Sequence, residues 1–253
     1  MTAVLIPVYK SALSALERKS LLQAYDVLAR YDLIVVKPAS LDLSAWTEEF
    51  PRLQFFDFPD EYFRSIGDYN RLLLSAAFYQ RFRTYEYVLI YQLDAWVFRD
   101  ELAEWCARGF DYIGAPWLQK PIYRWPLVRS YMQWLHKRKL QTGKPSKQSL
   151  YNRVGNGGLS LRRVESHLRA VLNYQSRIAW FLAQPRSHFY NEDVFWATEV
   201  PEFIYPSPEE ALRFSFDKYP AYCYQLTGGR LPFGCHSWYK RKMRKFWQPI
   251  IGF

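Results

Sequence analysis

The sequence predicts an α/β fold: a mostly parallel sheet flanked by helices, in a single domain. Three observations predict it. Short, continuously apolar runs recur at strand length (Val4-Leu5-Ile6, Leu33-Ile34-Val35-Val36, Tyr87-Val88-Leu89-Ile90-Tyr91), as strands covered on both faces require. Segments with helical spacing alternate with them over residues 1–115, which is the order of βαβ units. At 253 residues, 49% hydrophobic and 23% charged, the chain is long enough to bury a core without staples, and disordered, collagen-like and coiled-coil classes are excluded.

In chain order, Val4 to Val8 reads as a first strand. From Ser11 to Ala29, Leu13, Leu16, Leu21, Ala24, Val27 and Leu28 recur at helical spacing. Leu33 to Val36 is a second strand, closed by Pro38, and Gln54 to Phe58 a weaker third. Asp68 to Phe82 reads as one helix, and Tyr87 to Tyr91 as the fourth strand. A helix runs from Asp100, its expected N-cap, to Arg108, with Gly109 past its end. Asp111 to Gly114 is another strand. From Trp117 to Asn152 the chain turns basic and aromatic, and reads as a loop, a short basic helix and a mobile loop. Val154 to Leu161 is a turn into a strand, Arg163 to Leu172 a helix, and Asn191 to Trp196 the start of another. Pro201, Pro206 and Pro208 divide the next stretch of chain into short pieces. No internal repeat or linker interrupts the chain.

The three cysteines (Cys106, Cys223, Cys235) form no CxxC and argue against a disulfide framework or a structural zinc site. The opening MTAVLIPVYK has no basic region before an apolar run that Pro7 breaks, so it is not a signal peptide. No stretch reaches the ~18 uninterrupted apolar residues that span a bilayer. The expected compartment is the cytoplasm.

Charge is unevenly placed. From Tyr112 to Val164 there are 11 Lys and Arg and no acid; from Lys218 to Phe253 there are 7 and again no acid. Only 16 of the 34 basic residues remain to face all 24 acidic ones elsewhere. An acidic body with two basic segments suggests an anionic partner: a phosphorylated ligand, nucleic acid or lipid headgroups. Aromatic residues make up 19%, suited to sugar faces, nucleobases or a membrane interface, although most must be core.

In parallel sheets ligands bind beyond the carboxyl ends of the strands. Two residues stand there: Tyr9 after the first strand and Asp94 after the YVLIY run. A carboxylate at such a mouth can hold a hard cation that neutralises a diphosphate. Gly155-Asn156-Gly157-Gly158 is not a dinucleotide fingerprint, because Gly-x-Gly is followed by Gly-Leu-Ser. Its glycines permit close backbone approach to a ligand, and Asn156 has donors and an acceptor suited to sugar hydroxyls. Glu192 and Asp193 open a helix, where they either complement its dipole or serve as a general base. His236 lies in a Gly-flanked aromatic segment. The tail from Tyr239 to Trp247 mixes five clustered cations with interfacial aromatics, the composition of a peripheral membrane contact.

The apolar strand ending in Asp94, some way after a VLIPVY start, resembles GT-A type nucleotide-sugar glycosyltransferases, which carry an acidic Asp-x-Asp motif at this strand end. VGNGGLSLRR is similar to that family's Gly-Gly turn, NEDVFWA to the Glu-Asp-Val element that supplies the base in inverting members, and FGCHSW to the late His of the metal shell. The set YQLDA, YIGAPW, NGGLSLR, EDVF and FGxHxW resembles a bacterial glycosyltransferase-like group catalogued as a domain of unknown function and linked to surface polysaccharide synthesis. The resemblance covers nearly the whole chain.

It implies a GT-A-like fold, with a nucleotide-sugar-binding half over 1–115 and an acceptor-side half with the basic tail over 116–253. It implies transfer, with inversion, of a hexosyl-type group from a nucleotide sugar to a hydroxyl on a glycan or lipid-linked acceptor. Asp193 would be the base, with Glu192 the other acid of the pair. Tyr9, Asn70, Gln92, Asp94, Asn156, Gly157 and Gly158 would line the donor site. Asp94 and His236 would hold a divalent cation, Mn²⁺ or Mg²⁺. The motif departs in one place, since only one acid of Asp-x-Asp is present. If Asp94 is the first, Trp96 replaces the second; if it is the second, Gln92 replaces the first. A single acid predicts lower metal affinity, and Lys or Arg could supply part of the cation's charge. The tail would meet an anionic membrane surface on the cytoplasmic side. Two rival readings remain open. One is a non-catalytic RNA- or single-strand-binding protein, less favoured because it has no need of acids at strand ends. The other is a carbohydrate-binding relative that has lost the metal site.

Overall fold

The computed structural model describes residues 1–119, 121–185 and 187–253. Lys120, in the basic loop, therefore lies outside the described residues.

The chain opens with β1 (Thr2–Pro7), then α1 (Ala15–Val27), β2 (Asp32–Pro38), α2 (Ser44–Glu49) and β3 (Leu53–Phe58). Next come α3 (Ile66–Leu73), α4 (Ala76–Arg81), β4 (Tyr87–Tyr91), β5 (Ala95–Val97), α5 (Leu102–Ala107) and β6 (Tyr112–Ile113). The second half contains α6 (Pro126–Gln141), β7 (Leu159–Arg163), α7 (Val164–Asn173), α8 (Gln175–Leu182), α9 (Glu192–Thr198) and α10 (Pro208–Phe214). It ends with β8 (Ser215–Phe216), α11 (Pro220–Leu226), β9 (Gly234–His236) and α12 (Arg244–Ile251).

Six strands form one sheet in the order β3-β2-β1-β4-β7-β6. The first four run parallel, and β7 runs antiparallel to both β4 and β6. The α/β class with a mostly parallel sheet flanked by helices is thus observed. The apolar runs are explained by burial on both faces. Val4 and Ile6 of β1 join one core with Leu33, Val35, Leu89 and Tyr91, while Ala3 and Leu5 join the opposite core with Ile34, Val36, Val88 and Ile90. Because β7 inserts between β4 and β6, the halves before and after residue 115 share one sheet.

A second, three-stranded sheet in the order β5-β9-β8 positions the site. Its antiparallel register pairs Ala95 with His236, so the residue after the YVLIY turn meets the late histidine across a gap of 141 positions. The tail does not remain free. Trp247 of α12 is fully buried, stacks on Phe98 at 5.6 Å and packs with Phe216 and Ile251 in a third core. Trp247, one of the aromatics of the expected membrane contact, is therefore a core residue, while Tyr239 and Phe246 are half-buried.

Other local differences have simple causes. The helix expected over 68–82 is two, because the Ser75 hydroxyl accepts from the Phe78 N–H and starts α4 afresh. Asp100 sits one residue before the cap position of α5, yet accepts from the Leu102 N–H at 3.3 Å. Pro208 opens α10, where a missing N–H costs nothing, so a proline expected to break the chain starts an element instead.

Candidate functional site

A cleft of about 700 Å³ opens at the carboxyl ends of β1 and β4. Every residue expected to bind or react lines it. Tyr9, exposed, stands at one wall; Asn70, Gln92 and Asp94 lie along the floor; Asn156, Gly157 and Gly158 come from the turn before β7. Glu192 and Asp193 come from the start of α9, and His236 from the end of β9. Register explains the meeting: Tyr91 pairs with Leu159, so the glycine turn abuts the end of β4, and the Gln92 N–H donates to the Gly158 carbonyl at 2.9 Å.

Two glycines are required by close approach. A Cβ on Gly157 would collide with the Glu192 carboxylate, and one on Gly158 would collide with the His236 ring. The turn is therefore pressed between the two parts of the site. Asn156 sits at φ +70° and its side-chain oxygen accepts from the Gly158 N–H at 3.0 Å, so it shapes the turn from within. Asn70 is also buried. It donates to the Asn191 side chain at 3.2 Å and accepts from the Glu192 N–H at 3.3 Å, tying down the first residues of α9.

The two adjacent acids have different surroundings. Glu192 is buried against Arg162, whose Nη2 lies 3.0 Å from Oε1. Burial opposes the charge on Arg162, but Glu192 outweighs it and drives the guanidinium still more firmly to its charged form. Asp193 forms no ion pair with any described residue. Burial, and then the charge of Glu192, push its carboxyl up from 3.8 to about 7. The Gly157 N–H (3.4 Å) and Val194 N–H (2.9 Å) donate to it and hold the rise in check.

Across the turn, His236 Nε2 lies 2.9 Å from Asp94 Oδ1, an ion contact at an angle that makes no hydrogen bond. Lys240 Nζ lies 3.0 Å from Asp94 Oδ2 and donates to Ser237 Oγ at 2.8 Å. Asp217 Oδ1 lies 3.3 Å from the other ring nitrogen of His236. Burial would lower the His236 pKa, but Asp94 and Asp217 raise it to about 9. Burial would raise that of Asp94, but His236 and Lys240 hold it well below the usual carboxylate range.

Metal ligation is expected of Asp94 and His236 from the sequence. Among the described residues no group of three or more His, Cys, Asp or Glu could hold an ion. Both oxygens of Asp94 already face cationic groups, and one nitrogen of His236 faces Asp217. As it stands, Asp94 is a carboxylate balanced by two protein cations, while His236 Nε2 is buried without a hydrogen-bond partner.

Three residues of the site escape the sequence-based reading. Arg162 has a visible signal, a charge inside the apolar LSLRR strand, which burial forces to find a partner. Lys240 reads as part of a membrane-facing tail, and Asp217 carries no signal at all. A second groove, of about 870 Å³, lies between α5 and α10–α11; it holds none of the expected residues and mixes arginines with glutamates.

The sequence profile of one family matches residues 52–236, well over half of the chain and all of the cleft except its β1–α1 side, Tyr239 and Lys240. The chain belongs to the family described as Protein of unknown function (DUF5672). No curated protein matches the sequence. Solved structures similar to this DUF5672 chain are glycosyltransferases. Mouse xyloside xylosyltransferase 1 aligns with a TM-score of 0.53 and 15% identity over 93% of this chain and 97% of its own. The galactosyltransferase LgtC, bound to donor and acceptor sugar analogues, gives 0.51 and 13% over 96% and 91%. The glycosyltransferase GlyE of Streptococcus pneumoniae TIGR4 gives 0.54 and 10% over 99% and 60%. At such identities the likeness establishes the GT-A fold.

Proposed function

We propose that this DUF5672 protein transfers a glycosyl group from a nucleotide-sugar donor to a hydroxyl acceptor with inversion at the anomeric carbon. The observation that carries the reading is Asp193: a carboxylate in the cleft wall, titrating near 7, without a cation partner among the described residues. A general base is most effective when its pKa lies near the working pH. The acceptor O–H would give its proton to Asp193 as its oxygen attacks the anomeric carbon. The bond from that carbon to the diphosphate oxygen would break, and the nucleoside diphosphate would leave with the electron pair.

The leaving group's growing negative charge needs a counter-charge. Lys240 and the imidazolium of His236 supply it from the opposite side of the glycine turn, held in place by Asp94, Ser237 and Asp217. Asn70, through Asn191 and Glu192, and the Arg162–Glu192 pair position the end of α9 on which Asp193 sits. Tyr9 and Gln92 would face the nucleotide.

The test is release of nucleoside diphosphate from a panel of nucleotide sugars, with and without simple glycoside acceptors, by the wild type and by Asp193→Asn. Acceptor-stimulated release by the wild type that falls roughly 10²–10⁴-fold in the variant, with donor affinity kept, is expected. Equal turnover by both proteins would overturn the role of Asp193, and binding of glycans without any donor binding would favour the carbohydrate-binding reading.

A further inference from the structure

The helix α6 is unusual for a helix on a folded domain, because none of its 16 residues is buried. A surface helix ordinarily buries an apolar stripe. Here the inner side is only half covered, by Val128, Met132, Leu135 and His136. The stripe formed by Leu127, Tyr131, Trp134 and Arg138, at i, i+4, i+7 and i+11, faces solvent. Leu127 is 87% exposed, Tyr131 59% and Trp134 52%, and Trp125, one residue before the helix, is 71% exposed. The Tyr131 and Trp134 rings stack at 6.1 Å, and the Arg138 guanidinium lies over Trp134 at 5.5 Å. The stripe is thus an ordered aromatic and apolar surface.

Its surroundings fix the sign of what it can meet. Arg129, Lys137, Lys139, Lys144 and Lys147 are exposed around it, and no Asp or Glu occurs between Tyr112 and Val164. No helix among the described residues is long and apolar enough to cross a membrane.

We propose that α6, with Trp125, is a docking face for an anionic lipid bilayer, lying in the headgroup plane with Leu127, Tyr131 and Trp134 in the interface. Interfacial Trp and Tyr on one stripe, with cations on its flanks and no acid, is the composition of a helix that lies on a membrane. The half-buried side is tied to the chain that follows the helix. His136 Nδ1 lies 3.0 Å from Ser146 Oγ, and the Gln148 side chain donates to the Met132 carbonyl at 2.6 Å. The next stretch of chain leads to the catalytic end: Arg153 donates to the Ala197 carbonyl of α9 at 3.0 Å. Docking would therefore hold the Asp193 end of the cleft at a fixed distance from the lipid surface. That this delivers a lipid-linked acceptor rests on the proposed transfer; the docking does not.

The experiment is flotation of the full chain with vesicles of phosphatidylcholine alone or with 30% phosphatidylglycerol, alongside light-scattering of the protein without lipid. Three proteins are compared: wild type, Leu127→Ser/Trp134→Ser, and Lys137→Gln/Arg138→Gln/Lys139→Gln. The wild type should float with anionic vesicles only, with a blue shift of tryptophan emission. The charge variant should bind roughly 10²-fold more weakly, and the stripe variant at least tenfold more weakly. Thermal unfolding should be little changed in both, because no α6 residue is buried. Absence of wild-type flotation, or flotation unchanged in both variants, overturns the proposal. So does a wild-type dimer that the stripe variant dissociates without any lipid binding, since a second copy would then be the occupant. Flotation as expected in a protein that transfers no sugar leaves the docking standing and counts against the proposed function alone.

Discussion

Asp193→Asn separates a catalytic base from a structural carboxylate, because it should raise stability while it lowers turnover. In the unfolded chain the carboxyl titrates near 3.8; in the fold, burial and Glu192 push it to about 7. Below pH 3.8 both states hold the proton and nothing is lost. Between 3.8 and 7 the unfolded state ionises while the folded state keeps its proton, so stability falls as pH rises. Above 7 the penalty is complete, about 4 kcal/mol at ~1.4 kcal/mol per tenfold change in affinity for the proton. Asparagine is nearly isosteric and has no charge to lose. It can accept from only one of the two N–H groups, from Gly157 and Val194, that Asp193 engages, which costs about 1 kcal/mol. The variant should thus gain about 3 kcal/mol over the wild type at pH 8 and nearly nothing at pH 5. Urea unfolding at the two pH values measures this, and the pH profile of wild-type kcat/KM should rise to a plateau above about pH 7. An equal gain at both pH values would refute the raised carboxyl, and with it the reason for choosing Asp193 as base.

Glu192→Gln should behave in the opposite sense. It leaves the buried Arg162 guanidinium without its counter-charge and should cost roughly 3–5 kcal/mol by urea unfolding at pH 7; a loss below 1 kcal/mol would mean that Arg162 has another partner. Lys240→Gln should weaken nucleoside diphosphate binding roughly tenfold, measured by titration calorimetry in the presence of EDTA. If chelation alone abolishes wild-type binding and the substitution changes nothing, the cationic pair is not what holds the diphosphate.

Much of the site is legible in the sequence because one rule of α/β sheets does most of the placing: residues past the carboxyl ends of strands converge. Asp94 follows β4, and Gly157 and Gly158 enter at the same level because β7 returns antiparallel beside it. The strands are legible because burial on both faces demands unbroken apolar runs. The short helices α2, α8, α10 and α11 are not. They span 6 to 8 residues, too few for a periodicity to emerge, and α10 begins on Pro208, which reads as a breaker when it is an N-terminal residue. The tail misleads for a different reason. Cations beside Phe246 and Trp247 look interfacial in sequence, and only the packing of α12 on Phe98 and Phe216 shows that Trp247 is core and that Lys240 turns into the cleft.

The pattern of charge compensation gives the strongest internal argument for the division of labour in the cleft. Four carboxylates line it. Glu17 is paired with Lys10 at 2.9 Å, Asp94 with His236 and Lys240, and Glu192 with Arg162. Each of these has a cation within ion-pair distance. Asp193 alone of the four lacks a cation partner among the described residues, and it sits one position from Glu192, whose charge raises its proton affinity. The Arg162–Glu192 pair anchors α9 to β7 and sets the Glu192 carboxyl beside Asp193. The charge of Arg162 itself works the other way and limits the rise at Asp193. Asp94 here faces protein cations on both oxygens, and Trp96 is committed to the core beneath it, edge-on to Trp238 at 5.4 Å.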